Sequence, residues 1–283
     1  MCLSFHSNWH ANRILYRYID SSLSVGMLDS VKALNAVVLA LALSLASSAQ
    51  DKDFKSIKVL AEKGEAEAQF ALGLMYDTGQ GVEVNDKEAV NWYRKASEQN
   101  SPKAQHHLGL MYAFGEGTDK NPKEAVNWLS KAATQNHVQS QNTLGDMYLS
   151  GRGVEKNVKE AIKWFRMAAE HDNPHAQFSL GEIFSGDEGG LKNDKEAFIW
   201  YLKAAKEGYV GAQAKLGLMY HTGRGVAQDN KEAYVWDQIA AINGYAAAKR
   251  NQNLISRGMT PEQRKQAEAL AKEMVRKNPK LAR

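Results

Sequence analysis

The chain has 283 residues, 43% of them hydrophobic and 24% charged, with 36 basic against 32 acidic side chains and a formal charge of +4. That composition excludes a disordered polymer and a collagen-like fibre, and the length suffices for a large core. So even a charge balance, despite a pI near 8.9, carries no electrostatic footprint for nucleic acid. The lone Cys2 cannot close an intramolecular disulfide.

Residues 1–26 hold no repeat and no clear motif. Met27 opens a stretch built like a secretory leader. Lys32 precedes an uncharged apolar run of about 14 residues over 33–46, and Ser47 and Ala49 supply small side chains at −3 and −1 of a cut. A membrane span needs about 20 apolar residues, and charge resumes at Asp51. The expectation is a non-native extension over 1–26 and a signal peptide over 27–49, cleaved after Ala49. The mature chain is then periplasmic or secreted, soluble, free of cysteine and not membrane-spanning. No cysteine adjoins the cut, so nothing supports a lipoprotein anchor.

Residues 50–63 read as a lone helix that closes the N-terminal end. From 64 to 243 the sequence repeats itself with a period of 36. Leu-Gly recurs at Leu72, Leu108, Leu144, Leu180 and Leu216; Trp92, Trp128, Trp164, Trp200 and Trp236 keep the same step, as do the Lys-Glu-Ala triplets from Lys87 to Lys231. Each unit predicts two helices. Ala68, Leu72, Met75 and Tyr76 form one amphipathic stripe that ends at Gly79-Gln80-Gly81, where glycine takes a left-handed C-cap. Gly73, in mid-helix, costs about 1 kcal/mol relative to alanine. It predicts close approach of a neighbouring helix, with Tyr or Trp rings from adjacent layers as its cover.

The second helix starts at Asn85, Asn121, Asn157, Asn193 and Asp229, each three residues before a glutamate in the manner of a capping box. Ala89, Trp92, Tyr93 and Ala96 give its buried face, and the tryptophans read as core. A polar or glycine break at Asn100, Asn136, Asp172, Gly208 and Gly244 separates the units. Residues 244–283 form a partial repeat over 246–257, followed by a capping helix from Pro261 to about Lys277 with Ala267, Leu270, Ala271 and Met274 on one face. The fourth unit departs at Asp187-Glu188-Gly189-Gly190, which predicts an altered loop over 185–192. No single pair can bury its stripe, so the pairs must stack and share an elongated core.

The pattern Ala68-x-x-x-Leu72-Gly73-x-x-Tyr76-x-x-Gly79-x-Gly81-Val82, continued by Lys87-Glu88-Ala89-x-x-Trp92-Tyr93-x-Lys95-Ala96, resembles the Sel-one-like repeat, a relative of the tetratricopeptide repeat. The resemblance covers about 53–257. It implies an all-α, α-α superhelix (a solenoid) with the first helices lining a concave groove, and a role as an adaptor for protein contacts in bacterial envelope or exported proteins.

A step of 100° from the buried stripe places a second row on the first helices: Phe70 and Leu74; His106 and Leu110; Asn142 and Asp146; Phe178 and Glu182; Leu218 and His221. These positions vary between units, whereas the stripe does not. They are the candidate partner groove, suited to a protein or peptide with apolar anchors. Packing against the adjacent first helix is the competing reading for each of them.

The residues offer little for chemistry. Some relatives of this repeat type are described as acting on β-lactams, but those carry paired cysteines that this chain lacks. No serine has a lysine three residues on, and the histidines show no metal-ligand spacing. His171 and His175 flank an inter-helix break. The Gly-x-Gly pairs lack the strand and third glycine of a phosphate turn. The function expected is an exported interaction scaffold without catalysis, cofactor or metal. A β-lactam- or cell-wall-acting hydrolase and a secreted effector of a host protein are the alternatives.

Overall fold

The computed structural model describes residues 53–282; the leader and extension assigned to 1–49 lie outside the described residues. Helix α1 covers 53–62. Five pairs follow: α2 (Ala66–Thr78) with α3 (Asp86–Glu98), α4 (Pro102–Phe114) with α5 (Pro122–Thr134), α6 (Val138–Ser150) with α7 (Val158–Ala169), α8 (Pro174–Ser185) with α9 (Asp194–Lys206), and α10 (Val210–Thr222) with α11 (Asn230–Ile242). A short α12 (Ala248–Ile255) and a longer α13 (Pro261–Lys277) end the array. The first helix of each pair is called A and the second B. Each packs on its sequence neighbours, which makes an all-α solenoid of helix pairs.

The caps explain where each helix begins. The side chains of Asn85, Asn121, Asn157 and Asn193 accept from the backbone N–H three residues on, and Asp229 accepts from both Lys231 and Glu232. The expected reciprocal arm from the glutamate is replaced. The N–H of Asn85 donates instead to the Tyr76 carbonyl at 2.9 Å, and Asn121, Asn157, Asn193 and Asp229 repeat this to Tyr112, Tyr148, Phe184 and Tyr220. The A helix thus completes the cap of its own B helix and fixes the hairpin. A full capping box occurs at Thr260 and Gln263, where α13 starts.

B helices end in a Schellman motif. Asn100, Asn136 and Asp172 take positive φ, as do Gly208 and Gly244. The next N–H reaches back to Ala96, Ala132, Ala168, Ala204 or Ala240. In the fourth A–B loop the C-cap is Gly186, in extended backbone, and a 3-10 turn occupies Glu188–Gly190. Asn193 still bonds the Phe184 carbonyl at 2.7 Å, so the unit length survives the altered loop.

Packing within each pair turns on the mid-helix glycine. A Cβ on Gly73 would lie 2.7 Å from the Tyr93 ring, and on Gly145 or Gly181 2.5 Å from Phe165 or Tyr201. The covering side chain therefore comes from the B helix of the same pair rather than from an adjacent layer. Leu129 takes this place in the second unit and Asp237 in the fifth. The tryptophans are less uniform than expected. Trp92, Trp164 and Trp236 are buried, while Trp128 and Trp200 are half-buried. Lysines three residues on lie over their rings, Lys131 at 3.8 Å and Lys203 at 4.3 Å.

Between pairs, one buried glutamine recurs at the 36-residue step, outside the apolar stripe. Gln69, Gln105, Gln141, Gln177 and Gln213 each donate to a carbonyl in the last turn of the preceding B helix, at 3.2 to 3.4 Å. Helix α1 serves as that preceding B helix for Gln69, through Ala61. At the other end Ala267 and Ala271 of α13 are buried as expected, against α11. The chain then turns back: Leu281 is buried, and its carbonyl accepts from Gln213 at 3.0 Å and Asn243 at 2.5 Å.

Replacing Gly145 by alanine tests the pair contact. Alanine is the better helix former by about 1 kcal/mol, yet overpacking against Phe165 is expected to cost about 1–3 kcal/mol net. Urea unfolding of G145A is expected to show a lower midpoint, and an unchanged or higher one contradicts the contact.

Candidate functional site

The row predicted as a groove lies on the A helices, and the structure places its members half-buried, with Glu182 and Leu218 exposed. Most of them bridge one A helix to the next. Phe70 stacks 5.5 Å from the His107 ring and 5.8 Å from Tyr93. Leu74 packs on the Tyr93–Leu108 cluster. His106 Nδ1 lies 2.9 Å from Ser140 Oγ, and Asn142 Oδ1 lies 3.1 Å from His175 Nδ1. Phe178 stacks at 4.7 Å on Tyr209. Glu182 pairs with Lys215 at 2.7 Å and accepts from the Tyr201 hydroxyl. His221 instead turns to Asn230, 3.1 Å away at the start of its own B helix. Leu110 is half-buried.

The open apolar surface on this face is concentrated at Leu218, which keeps 50% of its area exposed. Beside it a small cavity of about 60 Å³ is lined by Ser185, Tyr201, Lys215, Met219, Thr222 and Arg224. Its two cations are held by carboxylates, Lys215 by Glu182 and Arg224 by Asp194 at 2.7 Å. Phe114, at the end of α4, is 49% exposed.

Burial shapes the charge state of the face. It pushes the Tyr93 and Tyr201 hydroxyls far up, aided by Asp77 and Glu182 respectively. It holds His106 down to about 3, with His107 and His137 adding to the effect, and His107 to about 4. Asp146 is raised by burial against the opposing pull of His175 and Arg152. Among the described residues, no three His, Cys, Asp or Glu side chains converge as metal ligands.

Sequence reasoning missed the partners of the row: His107, His137, Ser140, His175, Tyr209 and Lys215. Their signal is an offset. Phe70 meets His107, His106 meets Ser140, Asn142 meets His175 and Glu182 meets Lys215, so each contact spans 33–37 residues, close to the repeat itself.

Five units of the Sel1 repeat match the chain, at 66–101, 102–137, 138–173, 174–209 and 210–245, and the protein belongs to that repeat family. A Sel1 repeat protein from Oxalobacter formigenes is 30% identical, with a TM-score of 0.65 over 72% of this chain and 59% of that one. The chain thus spans about three fifths of that relative's length. A putative Sel1 repeat protein from Klebsiella pneumoniae is 20% identical over 72% of this chain and 99% of its own, with a TM-score of 0.45. The cysteine-rich protein B of Helicobacter pylori is 28% identical over 44% of this chain and 93% of its own, with a TM-score of 0.38. No curated protein matches the chain. Proteins built on this repeat generally act as protein-interaction scaffolds. No described helix is long and apolar enough to cross a membrane.

Asp237 gives this region a pH dependence. It is 1% exposed, takes the ring position opposite Gly217, and accepts from Asn251 at 3.3 Å. Burial raises it to about 6, against the opposing effects of Asn251 and His221. Between about pH 4 and 6 the unfolded chain releases this proton first, so stability falls through that window and stays low above it, by about 2–3 kcal/mol. Asp237→Leu is expected to remove the fall, stabilising the protein at pH 8 more than at pH 4 in urea unfolding. Equal effects at both pH values contradict the assignment.

Proposed function

We propose that the protein is an exported, non-catalytic interaction scaffold whose A-helix face forms a concave groove for a protein or peptide segment. The family supplies the scaffold role. One observation carries the choice of face: the row on the A helices varies between units, and among its members Leu218 leaves half its surface open. An apolar anchor seated there would lie beside the Lys215, Arg224 and Ser185 cavity, which suits a polar flank. Phe70, Leu74, Leu110 and Phe178 extend the apolar character along the row, and His106, Asn142, Asp146, Glu182 and His221 intersperse it with polar groups. Export rests on the charged, apolar and small-residue sequence of 27–49.

Photo-crosslinking tests the face. A photoreactive side chain at Leu218 or Leu110, introduced into the full chain in its native cells, is expected to give one discrete adduct that mass spectrometry identifies. The same probe at Ile199, 52% exposed on α9, is expected to give none. An adduct from Ile199 alone, or equal yields from both faces, assigns the partner elsewhere. N-terminal sequencing of the product made with its leader is expected to begin at Gln50; an intact leader on protein confined to the cytoplasm contradicts export.

A further inference from the structure

His137 is the N-cap of α6, and its Nδ1 accepts the backbone N–H of Ser140 at 3.3 Å. The equivalent positions carry Ser101 and Asn173 as ordinary caps, or Glu65 and Tyr209 with no capping side chain. A ring nitrogen accepts a hydrogen bond only while it holds a free lone pair, so this cap requires neutral His137 with its proton on Nε2. Ser140 Oγ lies 2.9 Å from His137 Nδ1 and 2.9 Å from His106 Nδ1. With His137 Nδ1 fixed as acceptor, the hydroxyl donates to it and accepts from the Nδ1–H of His106. Ser140 is fully buried. The directed chain from His106 through Ser140 to His137 therefore ties α4 to α6.

We propose that His106, Ser140 and His137 form a proton-released latch between the second and third repeats, closed at neutral pH and opened by acid. Protonating His137 removes the only lone pair on Nδ1, which breaks the backbone cap and turns the ring into a donor, so the Ser140 hydroxyl keeps its bridge only by reversing and by His106 moving its own proton from Nδ1 to Nε2. It also places a cation at the positive end of α6, 4.9 Å from the His106 ring. The groups that bear on the latch are Lys103, His106 and His107 from α4, with Asp77 of α2 and Tyr93 of α3 behind His107. Lys103 acts on His137 with the same sign of charge and is only loosely held by Glu67, 3.7 Å away. His107 Nδ1 stands 3.9 Å from Asp77 Oδ2, which also accepts from the Tyr93 hydroxyl at 3.0 Å. Acid is therefore resisted by burial and by like charges, and the unfolded or unlatched chain takes up protons first. Stability at this junction falls as pH drops below about 6.5. Because His106 belongs to the A-helix row, opening the latch changes that face, but the latch stands whether or not the face binds a partner.

Hydrogen exchange of the full chain at pH 7.5 and 4.5, corrected for intrinsic rates, tests the proposal in wild type and His137→Asn. Asparagine caps the equivalent helix at position 173 and does not titrate. Amides of residues 138–145 are expected to lose about tenfold more protection in acid in wild type than in H137N. The same acid loss in both proteins overturns the latch. Nitrogen-15 spectra of the wild-type imidazoles give a second readout that needs no variant: at pH 7.5 His137 is expected as the Nε2–H form and His106 as the Nδ1–H form. The reverse assignment, or a His137 already charged at that pH, overturns it as well.

Discussion

The solenoid depends on one buried hydrogen bond repeated at each junction. Gln69 and its counterparts to Gln213 use their amide N–H to reach the last turn of the preceding B helix, where the carbonyls have only the N–H three residues on as a backbone donor and can take a second bond. Hydrophobic burial is non-directional, whereas this bond has one register. Its own acceptor is met in turn: Gln99 donates to Gln69 at 2.7 Å, Gln135 to Gln105 at 2.8 Å, and Asn243 to Gln213 at 2.9 Å. At the third and fourth junctions the position equivalent to Gln99 holds His171 or Glu207, and the Oε1 atoms of Gln141 and Gln177 are buried without a donor among the described residues. Glu207 is engaged by Lys280, in the C-terminal segment that returns to this edge.

Two contact sets thus divide the work. The mid-helix glycine and the staple glutamine recur in all five units; the capping Asn, replaced by Asp229 in the fifth, and the stripe, altered at Ser140, Ile183 and Phe184, recur with small changes, and together they build the stack. The A-helix row varies, and the units solve their contact to the next A helix differently: ring on ring at Phe70 and His107 in the first, a serine bridge at His106 in the second, an amide–imidazole contact at Asn142 in the third, an ion pair at Glu182 in the fourth. A face assembled from such different pairs is free to diverge without altering the register. That freedom is the physical basis for assigning it the partner, and it also lets a titrating group such as His137 enter a structural role.

Much of the fold was legible because a period of 36 reports position within a unit. The C-cap at Gly79, the starts at Asn85 and Asn121, and the helix from Pro261 to Lys277 all stand where the sequence places them. Periodicity does not say which neighbour a position meets. The ring over Gly145 was expected from another layer and comes from Phe165 of the same pair. The glutamate of the capping box was expected to close the cap, and the Tyr76 carbonyl does so. The sequence leaves the row open between a partner face and packing on the next A helix, and contacts such as Phe70 with His107 depend on the stagger between layers, which a single unit's pattern does not encode. Leu281 returns over 68 residues to Gln213, and no repeat signal reaches that far.

A double-mutant cycle on the third junction tests the staple most directly. His171→Gln places at position 171 the amide that Gln99 and Gln135 provide elsewhere, facing the unsatisfied Oε1 of Gln141. Urea unfolding is expected to show it stabilising the wild type by about 1 kcal/mol and leaving a Gln141→Leu background unchanged. The same gain in both backgrounds would show that the amide at 171 does not act through Gln141, and would contradict the staple at this junction.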